Sequence, residues 1–436
     1  MLSRPPGTWI EPDRVFAALG HEGPASVWWD PAGNAGPGFI GFATTDEDLL
    51  VVDRPPVDPL PFAASLRARL GTRAASALLG WWGCLAYEFG VAVEGLPVPD
   101  SAAPAAAFAF VDRGLVLDRA AGTVTPIALE GAPDAEVWLD RTVQRLGALP
   151  PLAELPPEAA PRWRWRHERA AYLDRIAACQ AAIRRGDAYQ LCLTNTISVD
   201  AQLDPLAVYR RLRDLTPTAH CGILRVGDRW LLSASPEQFL TVDPAGTART
   251  RPMKGTRPRS PEASEDRRLA EELVASEKER AENLMIVDLM RNDLSRVSRV
   301  GSVTVPELFA VESYGWSHQL VSTVESSLET DPVAAVLALF PAGSMTGAPK
   351  RSAIRLLGEL EDGPRGWYSG AWGRLSVDGS VDLAVVIRSI AIGPDGMRIG
   401  SGGGITALSD PAEEWDEVVL KARPMLLAIG ADPDLH

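Results

Sequence analysis

Arg251-Pro-Met-Lys-Gly-Thr-Arg-Pro-Arg259 is the stretch around which this 436-residue chain organises itself. A lysine precedes a glycine that permits close backbone approach, and a threonine hydroxyl follows. Arg251, Lys254, Arg257 and Arg259 put four basic side chains into one short run. Pro252 and Pro258 hold the backbone extended on both sides. Read alone, the stretch is either a solvated basic turn or a loop that holds an anion and presents one amine to a bound molecule. The rest of the chain decides between the two.

Composition narrows the field. A formal net charge of −14 argues against a phosphate-backbone partner, so no nucleic acid is expected. Cys84, Cys179, Cys192 and Cys221 are scattered, with no CxxC pair and no disulfide framework, which suits a reducing, cytoplasmic setting. The five histidines have no metal-ligand spacing, so zinc is not expected. Met1-Leu-Ser-Arg-Pro-Pro-Gly7 lacks the apolar core of a signal peptide. No run of about 18 apolar residues points to a membrane span.

Taken in order, residues 1–147 mix short apolar runs with turn signals. Strands are predicted at 38–43, 49–52, 81–89, 107–111 and 115–118, and helices at 61–70 and 136–146. Trp28-Trp29 and Trp81-Trp82 read as packing aromatics. Pro150, Pro151, Pro156, Pro157 and Pro161 mark 148–162 as a linker, ahead of a region at 163–430 where the pattern is firmer. There the spacing predicts a helix over 168–185, strands at 189–199 and 230–235, and a helix from Ser260-Pro261-Glu262 to about Arg291. Further strands are predicted at 300–312, 319–325, 368–377, 381–392 and 397–401. Pro341 to Lys350 reads as a Gly-rich loop, Gly402-Gly403-Gly404 as a turn, and Asp410-Pro411 as the start of a last helix.

Two helices carry carboxylates at i, i+3, which places each pair on one face. They are Glu279 with Glu282, and Glu414 with Glu417, the latter in the first turns of a helix capped by Asp410. Two solvated acidic faces are the plain reading. Two pairs turned toward one cavity would make a hard-oxygen cage suited to Mg2+.

In their order, these stretches resemble the chorismate-utilising enzymes, the family of anthranilate synthase component I, aminodeoxychorismate synthase component I, isochorismate synthase and salicylate synthase. The resemblance rests on Gly186-Asp-Ala-Tyr-Gln190, Ser235-Pro-Glu237, Lys254-Gly-Thr256 and Glu279-Arg-Ala-Glu-Asn-Leu-Met-Ile-Val-Asp288. It continues through Arg291-Asn-Asp293, Pro341-Ala-Gly-Ser-Met-Thr-Gly-Ala-Pro-Lys350, Arg365-Gly-Trp-Tyr-Ser-Gly370, Ile387-Arg388-Ser389, Gly402-Gly403-Gly404 and the segment 414–422. These span roughly 165–425, and residues 1–147 resemble the family only loosely.

The resemblance implies an α+β fold, a large antiparallel β-sandwich with helices packed outside. It implies that Glu282 and Glu417 bind Mg2+ directly, that Glu279 and Glu414 support them through water, and that the metal neutralises the ring carboxylate of chorismate. Tyr368, Arg388 and the backbone at Gly403 and Gly404 would hold the enolpyruvyl carboxylate. Glu237 would protonate the departing C4 hydroxyl, with Thr256 beside it. Gln190, also counted among the substrate-binding residues, stands where the family's water-activating members have lysine, so water attack is disfavoured. Lys254 stands where anthranilate synthases usually have alanine, and here the chain resembles the aminodeoxychorismate synthases. Lys254 would attack C2 and be expelled when ammonia adds at C4. Burial with Arg251, Arg257 or Mg2+ nearby is expected to lower its pKa, and dry surroundings to raise that of Glu237. One position departs from the pattern: many members have histidine where this chain has Gln319. His318 is one residue away on the opposite strand face, so a packed or surface histidine is expected.

The acidic-serine motif of feedback-inhibited anthranilate synthases is not evident near Trp28-Trp29-Asp30, so tryptophan inhibition is not expected. Nor is a cysteine nucleophile on a glycine elbow found: Cys84 follows glycine, but Trp82 and Ala86 stand where small residues would be needed. The resemblance therefore implies that ammonia comes from a separate glutamine amidotransferase subunit, in a heterodimer.

Overall fold

The computed structural model describes residues 1–32, 36–56, 58–70, 76–156, 160–314 and 317–433. Among them, strands form two antiparallel sheets of 13 and 10 members. The inner faces meet over one large core that contains Trp29, Phe39, Trp82, Phe108, Phe239 and Trp372. A second core lies under helices on the outer face of the larger sheet, around Phe16, Trp28, Tyr172, Tyr209 and Trp415. Sheet on sheet, with helices outside, is the expected α+β sandwich. The tryptophans read as packing residues are indeed buried.

The segment 148–162 does not part these layers. Strand Ala25–Trp29 pairs with His220–Val226 in one sheet, and Gly80–Leu85 pairs with Ala371–Ser376 in the other. The first third of the chain thus supplies strands to both sheets. Most described residues of the proline-rich segment are exposed; Arg14 donates to the Pro150 carbonyl at 2.6 Å and Arg210 to that of Ala153 at 3.2 Å. Pro157 lies outside the described residues.

Four local expectations are corrected. The run at 81–89 is a strand only as Gly80–Leu85, and helix Tyr87–Val93 follows. The helix expected from 260 to 291 is two helices, Ala263–Ala275 and Glu277–Ser295. Glu262 rather than Ser260 caps the first. Ser276 breaks the pair because its side chain accepts from the Glu279 N–H, an N-cap bond that competes with helix continuation. The strand expected at 381–392 is also two: Val381–Val385 lies in the smaller sheet and Ser389–Gly393 in the larger. The chain changes sheets between them, and Arg388 takes a left-handed φ of 51° at the crossing. Gly402-Gly403-Gly404 is not a turn but the end of strand Gly396–Ile405, paired along its length with Gln190–Val199.

Candidate active site

One cleft of about 730 Å³ collects most of the sequence-predicted site residues. Strand Met253–Pro258 gives Lys254 and Thr256, helix Glu277–Ser295 gives Glu279 and Glu282, and helix Pro411–Ala428 gives Glu414 and Glu417. Glu237, Tyr368, Arg388, Gly403 and Gly404 complete the lining. Gln190 is buried behind this wall, pressed against Gly404.

Each side chain is aimed by a local device. Gly255 sits at φ +79° as the extra residue of a bulge between Lys254 and Thr256, against strand Ser317–Ser327. A methyl there would also stand 2.9 Å from Glu279 Oε2, so glycine lets the strand touch the acidic helix. Asp410 accepts from the N–H groups of Ala412 at 2.9 Å and Glu413 at 3.1 Å, which fixes the turn that presents Glu414 and Glu417. Behind Tyr368, the buried Arg365 binds Glu361 at 2.7 Å and the carbonyls of Met345 and Cys192 at 2.7 and 3.0 Å.

The glycines of strand Gly396–Ile405 act by close approach. A Cβ on Gly404 would lie 2.4 Å from Gln190 Nε2 and 3.2 Å from Lys254 Nζ. One on Gly403 would lie 3.0 Å from Glu414 Oε2. On Gly400 it would stand 1.9 Å from Tyr368 Cγ, so the ring is seated flat on bare backbone. Gly400→Ala is expected to cost about 1–3 kcal/mol of stability by overpacking, read as a drop in melting temperature of several degrees. An unchanged melting temperature would show that the ring has room to move.

Burial raises the Glu237 carboxyl, against the lowering effects of its hydrogen bond to Ser344 and of Lys254. Burial also pushes Glu282 up to about 7 and raises Glu414, whereas the Lys421 ammonium lowers Glu417. Burial alone would lower the Lys254 ammonium. The groups facing it, Cys192, Glu282, Glu237 and Glu417, outweigh burial and hold it above the ordinary lysine value. Arg251 and Arg257 do not bring about the expected lowering. The arginines invoked for it are paired elsewhere, Arg251 with Glu312, and Arg257 with Glu272 at 3.0 Å and Glu279 at 3.5 Å.

His318 lies outside the cleft lining. It is buried between Asp266, 3.0 Å from its Nε2, and Ser313, 2.8 Å from its Nδ1. Gln319 does line the cleft. It accepts from the Thr256 hydroxyl at 3.1 Å and donates to Ser317 at 2.8 Å. Sequence reasoning gave no role to Ser344, Gly400, Cys192, Lys278 or Lys421, all of which line the cleft. Ser344 and Lys421 fall inside recognised motifs, and Gly400 opens the glycine-rich run, so these three carried a signal.

The four glutamates are not closed into a cage. Among the described residues no three acidic, histidine or cysteine side chains come together as a metal-binding group. The donor chemistry nevertheless fits a hard cation. Four carboxylates from two helices face one cleft, and burial disfavours the ionised form of Glu282 and Glu414 until a positive charge arrives. A second cavity of about 560 Å³ adjoins the cleft at Pro236 and Met253 and is walled by Trp29, His220, Arg374 and Asp382; none of the expected site residues lines it.

Residues 27–427 match the family of chorismate binding enzymes. The chain is 43% identical to an aminodeoxychorismate synthase of Streptomyces griseus, over 88% of this chain and 53% of that protein. It is 38% identical to anthranilate synthase component 1 of Streptomyces coelicolor, over 80% of this chain and 72% of that protein. It spans 53% and 63% of the lengths of the two Streptomyces aminodeoxychorismate synthases it matches. Among solved structures it is similar to anthranilate synthase component I from Streptococcus pneumoniae, with a TM-score of 0.77 and 28% identity over 92% of both chains. A menaquinone-specific isochorismate synthase from Escherichia coli shares the fold, with a TM-score of 0.75 at 19% identity over 98% of this chain and 96% of that one. The matched span takes in every residue of the cleft and nearly all of both sheets, and on that ground the chain belongs to the chorismate binding enzymes.

Proposed function

We propose that the chain is the synthase component that converts chorismate and ammonia to 4-amino-4-deoxychorismate through a covalent adduct of Lys254. The observation that carries this reading is the placement of the Lys254 amine. It is half-buried and lines the cleft, beside Gly404 and within the field of Glu237, at a position where the family's anthranilate synthases usually have alanine. The identity to aminodeoxychorismate synthases supports it.

Tyr368, Arg388 and the backbone of Gly403 and Gly404 bind the enolpyruvyl carboxylate, and the Lys254 amine lies against C2 of the ring. Glu237 and Lys254 form an acid–base pair. With the amine charged and the acid ionised the pair is unreactive. Transfer of one proton from Lys254 to Glu237 gives a free amine and a carboxylic acid, the neutral form that a dry, substrate-covered cleft favours. The nitrogen then bonds to C2, both ring double bonds shift by one position toward C4, and the C4 hydroxyl leaves as water with the Glu237 proton. Ammonia adds at C4 as the bond from C2 to Lys254 breaks, and its extra proton restores the charged pair. Thr256, held by Gln319, hydrogen-bonds near the departing hydroxyl. Glu282 and Glu417 would hold Mg2+, with Glu279 and Glu414 supporting them; when bound, the cation neutralises the ring carboxylate.

Incubation with chorismate, ammonium and Mg2+, followed by mass and NMR analysis, tests the reading: 4-amino-4-deoxychorismate is expected, anthranilate would make the chain an anthranilate synthase component I, and no product would make it a non-catalytic, regulatory relative. Ammonia is taken to come from a partner amidotransferase in the cytoplasm. The purified chain is therefore expected to use ammonium salts at raised pH but not glutamine, until an amidotransferase is added. Glutamine-dependent turnover by the chain alone would refute this.

A further inference from the structure

Two lysines stand among the four carboxylates. Lys421, one helical turn beyond Glu417, brings its Nζ to 2.6 Å from Glu417 Oε1. The same Nζ donates to the Gly402 carbonyl at 2.9 Å, so the ammonium is fixed between the helix and the floor of the cleft. Lys278, from the other acidic helix, reaches across to 3.9 Å from Glu414 Oε1. The Glu–Lys spacing of 417 and 421 is the ordinary i, i+4 pair of a helix surface. The second acceptor, a strand carbonyl inside the cleft, is not part of such a surface pair.

We propose that Lys421 is the resident counter-ion of Glu417 and that a divalent cation binds by exchange with it rather than by addition. This rests on the reading of Glu417 as a metal ligand. Lys421 is then a positioning residue that sets the affinity for the free metal. Its ammonium and the incoming ion compete for one carboxylate, and the metal-free cleft keeps its acids neutralised in the meantime. Once displaced, the Lys421 ammonium still has the Gly402 carbonyl to hold it at the cleft floor, where an anionic substrate would meet it. Metal and substrate thereby become coupled through one side chain. Lys278 does the same for Glu414 more weakly, given its longer separation.

The test is calorimetric titration of MgCl2 into the full chain without chorismate, for the wild type, Lys421→Met and Lys421→Arg. Lys421→Met is expected to bind Mg2+ roughly fivefold more tightly, the upper range for removing an ion pair that is half open to solvent. Lys421→Arg is expected to stay near the wild type. Binding by Lys421→Met that is equal to or weaker than the wild type overturns the proposal, and binding by Lys421→Met alone supports it. No binding by any of the three proteins instead rejects Glu417 as a metal ligand, and the proposal falls with that reading. A second measurement uses only the wild type, so it survives a variant that does not fold. The acylation rate of Lys421, followed by peptide mass spectrometry, is expected to rise severalfold when MgCl2 is added. An unchanged rate under conditions where Mg2+ is bound overturns the exchange.

Discussion

Replacing Lys254 by alanine is expected to abolish 4-amino-4-deoxychorismate formation and to divert the chemistry rather than stop it. The variant loses the nucleophile but keeps Glu237, the four glutamates, Tyr368 and Arg388, all of which line the same cleft. The 4-amino product should fall by a factor on the order of 10³ or more, because an oriented neighbouring nucleophile is worth effective molarities of ~10⁵ M and above. Chorismate is still expected to bind, and the acid to protonate the C4 hydroxyl. The space left by the amine adjoins Gly404 and Gln190, so ammonia or water can enter and attack C2 directly. A 2-substituted product of the anthranilate-type intermediate class is then expected at a reduced rate. Product regiochemistry by NMR decides the matter. If Lys254→Ala makes the 4-amino product at the wild-type rate, the covalent role fails. The structure adds a condition to this prediction. Cys192, Glu282, Glu237 and Glu417 hold the Lys254 ammonium above the ordinary lysine value, against the effect of burial. Reaction must begin with proton loss inside the cleft, not with a lysine that is already neutral.

The members of the site were legible because their motifs are local: Ser235-Pro-Glu237, Lys254-Gly-Thr256 and the two carboxylate pairs need only a few neighbouring residues to be read. What was not legible depends on elements distant in sequence. Gly402-Gly403-Gly404 reads as a turn when glycine is judged by its backbone freedom. In the fold these residues are strand, and their missing side chains make room for Gln190, Lys254 and Glu414. The run from 381 to 392 is apolar enough for one buried strand, and nothing local shows that the chain must pass from one sheet to the other at Arg388. The surroundings of Lys254 are not legible for the same reason. Arg251 and Arg257 are near it in sequence but bind Glu312, Glu272 and Glu279, whereas Glu282 and Glu417 reach it from two other helices. His318 was placed well by strand alternation alone, since the side chain next to a cleft residue must point away from the cleft.

Removal of the metal, or of either of its expected direct ligands, is the other large effect. Activity is expected to vanish in excess EDTA and to return with Mg2+. Glu282→Gln and Glu417→Gln are each expected to lose activity by at least about 10²-fold, the upper range for disturbing even outer-sphere ligands, while the melting temperature stays near or above that of the parent. The stability side follows from the sign of the Glu282 shift. Its carboxyl is raised to about 7 by burial, so the folded chain disfavours the ionised form. Folding free energy from this group is at its fullest below the ordinary carboxylate range and is lost as pH rises toward 7. A neutral glutamine removes that penalty at pH 7 and above, so Glu282→Gln should fold at least as well as its parent in the metal-free state. Glu417 differs, because its carboxyl is lowered by Lys421 and its loss leaves that ammonium with only the Gly402 carbonyl. Glu417→Gln should therefore be slightly the less stable of the two in the absence of metal. Added Mg2+ should raise the melting temperature of the parent and of neither variant, by the mass-action stabilisation that any ligand of the folded state provides. Full activity in excess EDTA, or an equal metal-induced rise in Glu282→Gln, would remove these glutamates from the role assigned to them.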